Sequence, residues 1–320
     1  MPDGGAIAVN QTAPETDQPD VHTDQALGDR AGFRLAAFGA VLIVVLFAGY
    51  GLGRLNQSTT KATNAPMPPS ESQPHNHGAA QNTTMGAAVA GQSLSESGLT
   101  LVPEGSTFAA NRPQRLSFRI AGPGGAPITT YAIVHDKPLH LIVVRRDLSG
   151  FQHLHPTMAA DGTWSIELTL VEPGVYRMIA DFTATLGGRQ LPVALGSDLT
   201  VAGDYAPRAL PAAAKTATAD QFTAAYEGTP TTTATQPILV TVTGPDGRPA
   251  ALEPYLAAYG HLVVLRQGDL AYVHVHPEPA LVDGKVKFWL AMPSPGAYRM
   301  FFDFQVAGQV HTAAWTAAIG

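Results

Sequence analysis

The chain repeats itself. Gly122-Pro123-x-Gly125-x-Pro127 returns as Gly244-Pro245-x-Gly247-x-Pro249. HLIVVRRDLSGFQHLHP (140–156) aligns without a gap to HLVVLRQGDLAYVHVHP (261–277), with seven of seventeen positions identical. PGVYRM (173–178) followed by Asp181-Phe182 returns as PGAYRM (295–300) followed by Asp303-Phe304. Three blocks in one order, at offsets of 121 or 122 residues, define two copies of one module, placed at 98–203 and 204–320. Each copy is about 100 residues, an ordinary domain size, so one small unit must fold twice.

Each copy reads as all-β. Short runs rich in Val, Leu, Ile, Phe and Tyr, such as RLSFRIA, LHLIVVRR, TWSIELTL and VYRMIADFTA, alternate with Gly, Pro, Asp and Ser. That spacing is the pattern of an Ig-like β-sandwich, and long helical periodicity is absent. Strand side chains alternate between faces, so Tyr176, Met178 and Phe182 share one face while Arg177 and Asp181 share the other. Tyr298, Met300, Phe302 and Phe304 repeat the first face, which is expected in the core, with Arg and Asp outward or at an edge.

The first third of the chain is different. Residues 1–34 are polar and acidic, with few large apolar groups to offset the entropy of ordering, and read as a disordered tail. Between Arg34 and Arg54 lie 19 uncharged residues, LAAFGAVLIVVLFAGYGLG, close to the ~20 needed to cross a bilayer core as a helix. A buried core helix would carry a polar stripe, and this run has none. The acidic leader and the lack of an A-x-A-like site argue against a cleaved signal peptide, so residues 35–54 are expected to be a transmembrane signal anchor. Flanking charge does not orient it, because Arg30 and Arg34 balance Arg54 and Lys61. Residues 55–97 are rich in Ser, Thr, Asn, Gln, Pro and Ala and read as a flexible linker, in which His75-Asn76-His77 is polar filler.

Composition excludes several chemistries. Without cysteine there are no disulfides, thiol nucleophiles, zinc ribbons or iron–sulfur clusters. With 19 Lys+Arg against 25 Asp+Glu, the net charge of −6 lacks the basic footprint of a nucleic-acid binder. No G-x-S-x-G, H-E-x-x-H, P-loop or dinucleotide fingerprint occurs, and the chain is not expected to be an enzyme.

The histidines carry the remaining chemistry. Six of the eleven occupy matching places: His140, His153 and His155, then His261, His274 and His276. His-x-His in a strand puts both imidazoles on one face, a spacing at which two nitrogens converge on one ion. If Asp147 to Gly150 forms a tight connection with Arg146 opposite Phe151, then Ile142 faces His155 and Val144 faces His153. His140 then lies on the same face, diagonal to His155, and the same register places His261 beside His276. His135 offers copy one a fourth ligand, where copy two has Leu256. Copy two offers His311 instead, aligned with Arg189, and its site is poorer by one ligand or completed by Asp, Glu or water. Imidazoles in a chain without thiolates suit copper(II), zinc or nickel. The plain alternative is strand histidines bonded to backbone and ended by Pro156 and Pro277.

The HLIVVRRDLSGFQHLHP and PGVYRMIADF blocks, with GHLVVLRQGDLAYVHVHP and PGAYRMFFDF, resemble a group of actinobacterial secreted or membrane-anchored proteins labelled heavy-metal-binding. The resemblance spans about residues 95–320. It implies an extracytoplasmic pair of sandwiches, broadly similar to the Ig-like copper-handling domains of bacterial envelopes, with the matching His140, His153, His155, His261, His274 and His276 as ligands. The expected protein is therefore anchored in the cell membrane by a single pass, with its C-terminal domains outside. It binds, buffers or delivers copper, with zinc or nickel as alternatives, at about one ion per module, and an envelope protein is the expected partner. Two rival functions stay open: a tethered Ig-like interaction module with structural histidines, and, third, a metal-dependent hydrolase, for which no general base or substrate pocket is evident.

Overall fold

The alternating runs of both repeats form strands in the computed structural model, which describes residues 89–273 and 275–320. A leading segment supplies β1 (Val89–Ala90). Repeat one then supplies β2 (Ser95–Glu96), β3 (Leu99–Pro103), β4 (Thr107–Phe108), β5 (Pro113–Ala121) and β6 (Leu139–Arg145). It continues with β7 (Gln152–Leu154), β8 (Thr157–Met158), β9 (Trp164–Thr169), β10 (Gly174–Leu186) and β11 (Arg189–Val201). Repeat two supplies β12 (Thr216–Ala219), β13 (Phe222–Glu227), β14 (Gln236–Thr243), β15 (His261–Arg266) and β16 (Tyr272–Val273). Its last strands are β17 (His276–Pro277), β18 (Val286–Leu290), β19 (Gly296–Val306) and β20 (Gln309–Ile319).

These strands make two sandwiches. Repeat one pairs β2-β3-β5-β9-β8 in one sheet and β4-β11-β10-β6-β7 in the other; repeat two pairs β12-β13-β14-β18-β17 and β1-β16-β15-β19-β20. In chain order, β3-β5-β9-β8 and β13-β14-β18-β17 correspond to strands A-B-E-D of an immunoglobulin domain, and β11-β10-β6 and β20-β19-β15 to G-F-C. The fold is all-β, two tandem Ig-like β-sandwiches.

The expected core faces are the core. Tyr176, Met178 and Phe182 pack inside repeat one with Trp164 and Phe118, and Tyr298, Met300, Phe302 and Phe304 pack inside repeat two with Trp315. The opposite face differs from expectation. A third apolar cluster joins Ile142, Val144, Leu148 and Ile179 of repeat one to Val263, Leu265, Leu270, Tyr272 and Phe301 of repeat two. The two inner sheets therefore press together along a seam, so "outward" from one sandwich means into the other. Phe151 and Phe301 stack there with centroids 3.9 Å apart, a contact worth about 0.5–1.5 kcal/mol beyond its buried area. The strand β6 is buried along its whole length because both its faces are covered.

Residues outside the repeats hold the seam. Val89 pairs with Val273 and Ala90 with Tyr272 of repeat two, while Gly91 N donates to Ala194 O (2.9 Å) and Gly196 N donates to Ser93 O (2.9 Å) in repeat one. Residues 89–93, expected to belong to the flexible linker 55–97, instead bond to both inner sheets. Between the two sandwiches, residues 205–208 are pinned to repeat one: Arg145 donates to Ala206 O (2.5 Å) and lies over the Tyr205 ring, and Arg208 N donates to Asp147, while Ala214 N donates to Thr316 O (3.0 Å) of repeat two.

The tail 1–34, the anchor 35–54 and the linker up to residue 88 lie outside the described residues. Among the described residues, no helix is long and apolar enough to cross a membrane.

Candidate metal centre

Alternation along β6 decides what reaches the seam. Leu139, Leu141 and Val143 point into the sandwich core, leaving His140, Ile142 and Val144 on the seam face. The neighbouring β7 sets Ile142 opposite His153 and Val143 opposite Gln152. The expected register is therefore corrected by two residues. The connection closes tighter, with Leu148 N donating to Arg145 O (2.8 Å) and Arg145 N to Ser149 O (2.9 Å), because Leu148 adopts φ 65° and buries its side chain in the seam. A shift of two keeps every side chain on its face, so His140, His153 and His155 still converge. Repeat two keeps the same register, Val264 opposite Val273.

Among the described residues, the centre gathers five imidazoles from two repeats. His140 Nδ1 lies 3.1 Å from His153 Nε2 and 3.3 Å from His155 Nε2. His261, arriving from β15 across the seam, stacks on His140 at 5.2 Å and 10°, with its ring 4.7 Å from that of His153. Ligand nitrogens of His140, His153 and His261 all lie within 4.8 Å of one another. His135 stands at the rim, its ring 5.5 Å from His261 and 6.1 Å from His140. It occupies a two-residue turn, bridged between Val134 and Lys137, in which His135 (φ 48°) and Asp136 (φ 61°) are both left-handed.

Two surrounding groups assign the tautomers. His140 Nε2 lies 3.1 Å from Val134 O, and a carbonyl only accepts, so Nε2 carries the proton and donates. His153 Nδ1 lies 2.8 Å from Asp303 Oδ2 and donates to the carboxylate, whose Oδ1 accepts from Thr312 Oγ1 (2.6 Å). His140 Nδ1 is then a lone-pair nitrogen, as is His153 Nε2 when that ring carries a single proton, and the two face each other at 3.1 Å. Two such lone pairs repel unless a cation sits between them, either a proton on His153, which faces the Asp303 carboxylate, or a metal ion. Nitrogens bound at 2.0–2.1 Å to one tetrahedral ion sit about 3.4 Å apart, so the spacing fits a metal. Carbonyl and carboxylate partners on the outer nitrogens are also what metal-bound histidines use.

Burial keeps the rings of His140, His155 and His261 neutral. His140 is pushed down to about 3, first by burial and then by its neighbour His153. His155 is also pushed down to about 3, by burial, His153 and Lys137. His261 falls well below 6.5 for the same leading reason, with His153 and His140 adding to it. Protons therefore do not compete for these nitrogens near neutral pH. Tyr255, beside the centre, is pushed up to about 12 by burial and the Asp303 charge.

A family model described as Domain of unknown function (DUF8832) matches residues 94–196 and 217–320, one match per repeat. The chain belongs to that family. The description assigns no activity, and so lends nothing to the heavy-metal label of the resembling proteins. No curated protein is significantly similar to the chain. Among solved structures, the chain is similar to the Escherichia coli adhesin FdeC, at 15% identity over 71% of this chain and 66% of that one, with a TM-score of 0.25. It is similar to the bacterial integrin-binding protein invasin at 16% identity over 68% and 39%, TM-score 0.19. A titin tandem of Ig domains, A164-A165, aligns at 14% identity over 69% and 96%, TM-score 0.17. The chain thus spans less than two thirds of the two bacterial structures.

Repeat two does not build a centre of its own from the described residues. His276 was expected beside His261; instead it is exposed on β17, opposite Trp289 in the outer sheet. The chain crosses between sheets two residues earlier than in repeat one, where the outer strand starts at Thr157. His274 lies outside the described residues. His311 sits opposite Phe304, as Val193 sits opposite Phe182, because the β19–β20 hairpin is two residues shorter on each arm. His311 therefore belongs to the core side, where it bonds Asp220 (2.6 Å), and Arg189 is not its counterpart.

Sequence reasoning missed Asp303 and placed it outward. It is 2% exposed and acts on His153 from the other repeat. A signal for it existed: Asp181 and Asp303 stand directly opposite His140 and His261 in the pairing of neighbouring strands.

Proposed function

We propose that this tandem β-sandwich unit binds one transition-metal ion in the seam between its repeats, held by His140, His153 and His261 with His155 beside them. The supporting observation is the convergence of His140 Nδ1 and His153 Nε2 to 3.1 Å, each ring oriented by an acceptor on its far side. An all-imidazole donor set favours copper, then zinc or nickel. With residues 35–54 as an anchor, the unit would buffer or deliver the ion at the outer face of a membrane. One ion per chain is expected, in place of one per repeat, because His261 completes the cluster of repeat one. Metal analysis of the full-length protein after exposure to copper, zinc and nickel tests this. Copper at one equivalent, lost in His153→Ala, supports the proposal; copper uptake that His153→Ala leaves unchanged overturns it.

A second function rests on a specific observation. The Ig strand order, with the histidines bonded to Val134, Asp303 and one another, also suits an interaction module whose cluster is structural glue. In that case no metal rises above background, and His140→Ala lowers thermal stability without any change in metal content.

A further inference from the structure

We infer that His155 is the exchange ligand of this centre, past whose ring the ion enters and leaves. The inference rests on the metal reading above and says how the buried site communicates with solvent. The other close ligands are sealed: His140 is 6% and His261 8% exposed, and the His153 side chain only 2%. His155 instead lines two surface clefts, one of about 490 Å³ with Lys137, Met158 and Trp164, the other of about 310 Å³ with Arg115 and Glu167. Its Nε2 meanwhile reaches to 3.3 Å from His140 Nδ1. One ring thus touches the centre and walls both clefts.

The backbone allows that ring to move. His155 lies in the crossover between β7 and β8, outside any strand, so no ladder bonds fix it as they fix His140 on β6 and His261 on β15. Buried Pro156 follows it with a preset φ, which anchors the far side of the crossover. Swinging the His155 ring toward the clefts opens a path while His140, His153 and His261 still hold the ion.

Zinc alone is a suitable probe, released from the loaded full-length protein into excess chromophoric chelator by stopped flow. His155→Ala is expected to speed release at least about tenfold and to weaken affinity, because affinity changes act mainly through the off-rate, with one ion still bound at saturation. Thr157 is exposed and lines both clefts, so Thr157→Trp narrows the way past His155. It is expected to slow loading and release at least about tenfold, with stoichiometry unchanged. Rates within about twofold of wild type in both variants overturn the exchange role while leaving the metal centre intact. Complete loss of zinc in His155→Ala overturns it too, by making His155 a holding ligand. A wild-type chain that takes up no zinc overturns the centre and the exchange role together.

Discussion

Repeat one and repeat two share strand order and register, yet they contribute unequally to the seam. Among the described residues, repeat one brings four imidazoles and repeat two brings His261 and the carboxylate of Asp303. The turn that presents His135 in repeat one recurs at Tyr255–Ala258, where buried Leu256 takes the same left-handed place. Of the two aspartates, Asp303 accepts from His153 and Asp181 accepts from Tyr272 OH (2.8 Å). Duplication supplied two equal faces, and packing them against each other let one face specialise in ligands and the other in support.

The largest expected effect separates the aligned histidines. His153→Ala takes copper binding below detection by calorimetric titration, and His276→Ala leaves it intact. Equal losses would mean that the two copies bind independently.

The aspartates come next. Removing an outer partner of a metal ligand costs about 10–100-fold in affinity, so Asp303→Ala should lose that much in a competition titration. An equal loss in Asp181→Ala would mean that both aspartates support the centre.

Acid sharpens the comparison in the metal-free protein. His140 and His155 titrate near 3 in the fold against 6.5 when unfolded, and His261 is also depressed. The unfolded chain therefore binds more protons between about pH 3 and 6.5. Stability is full above pH 6.5 and falls as pH drops through that window, which urea unfolding from pH 4 to 7 measures. A double variant His140→Ala/His155→Ala should flatten most of the slope, leaving the share of His261.

The smallest effect concerns the strap at residues 89–93. A Cβ at Gly196 would overlap the Gly91 carbonyl oxygen, so Gly196→Ala should destabilise by about 1–3 kcal/mol through overpacking. Its counterpart by pairing is Ala314, opposite Phe301 as Gly196 is opposite Ile179. Ala314→Gly should cost only about 0.5–1 kcal/mol. Thermal melts of both variants decide whether the strap makes the difference.

Much of the fold was legible because strand periodicity is local. The three repeated blocks placed Tyr176, Met178, Phe302 and Phe304 in their cores, and parity alone put His140, His153 and His155 on one face even though the turn was two residues off. Local pattern could not show that Leu148 takes a left-handed φ to bury itself in the seam, or that the shorter hairpin turns His311 to the core. The seam itself did leave a trace. LHLIVVR in β6 and HLVVLR in β15 offer no polar face to water, as expected of strands covered on both sides.

The amino-acid order thus determines which side chains stand together on each strand, since that depends on neighbours two residues apart. Whether such a face meets water or a second sheet depends on docking between segments far apart in the chain. His153 and Asp303 are 150 residues apart in the chain and 2.8 Å apart in space. Only the closed seam joins them, and with it, among the described residues, four histidines of one repeat and one of the other come together in a single cluster.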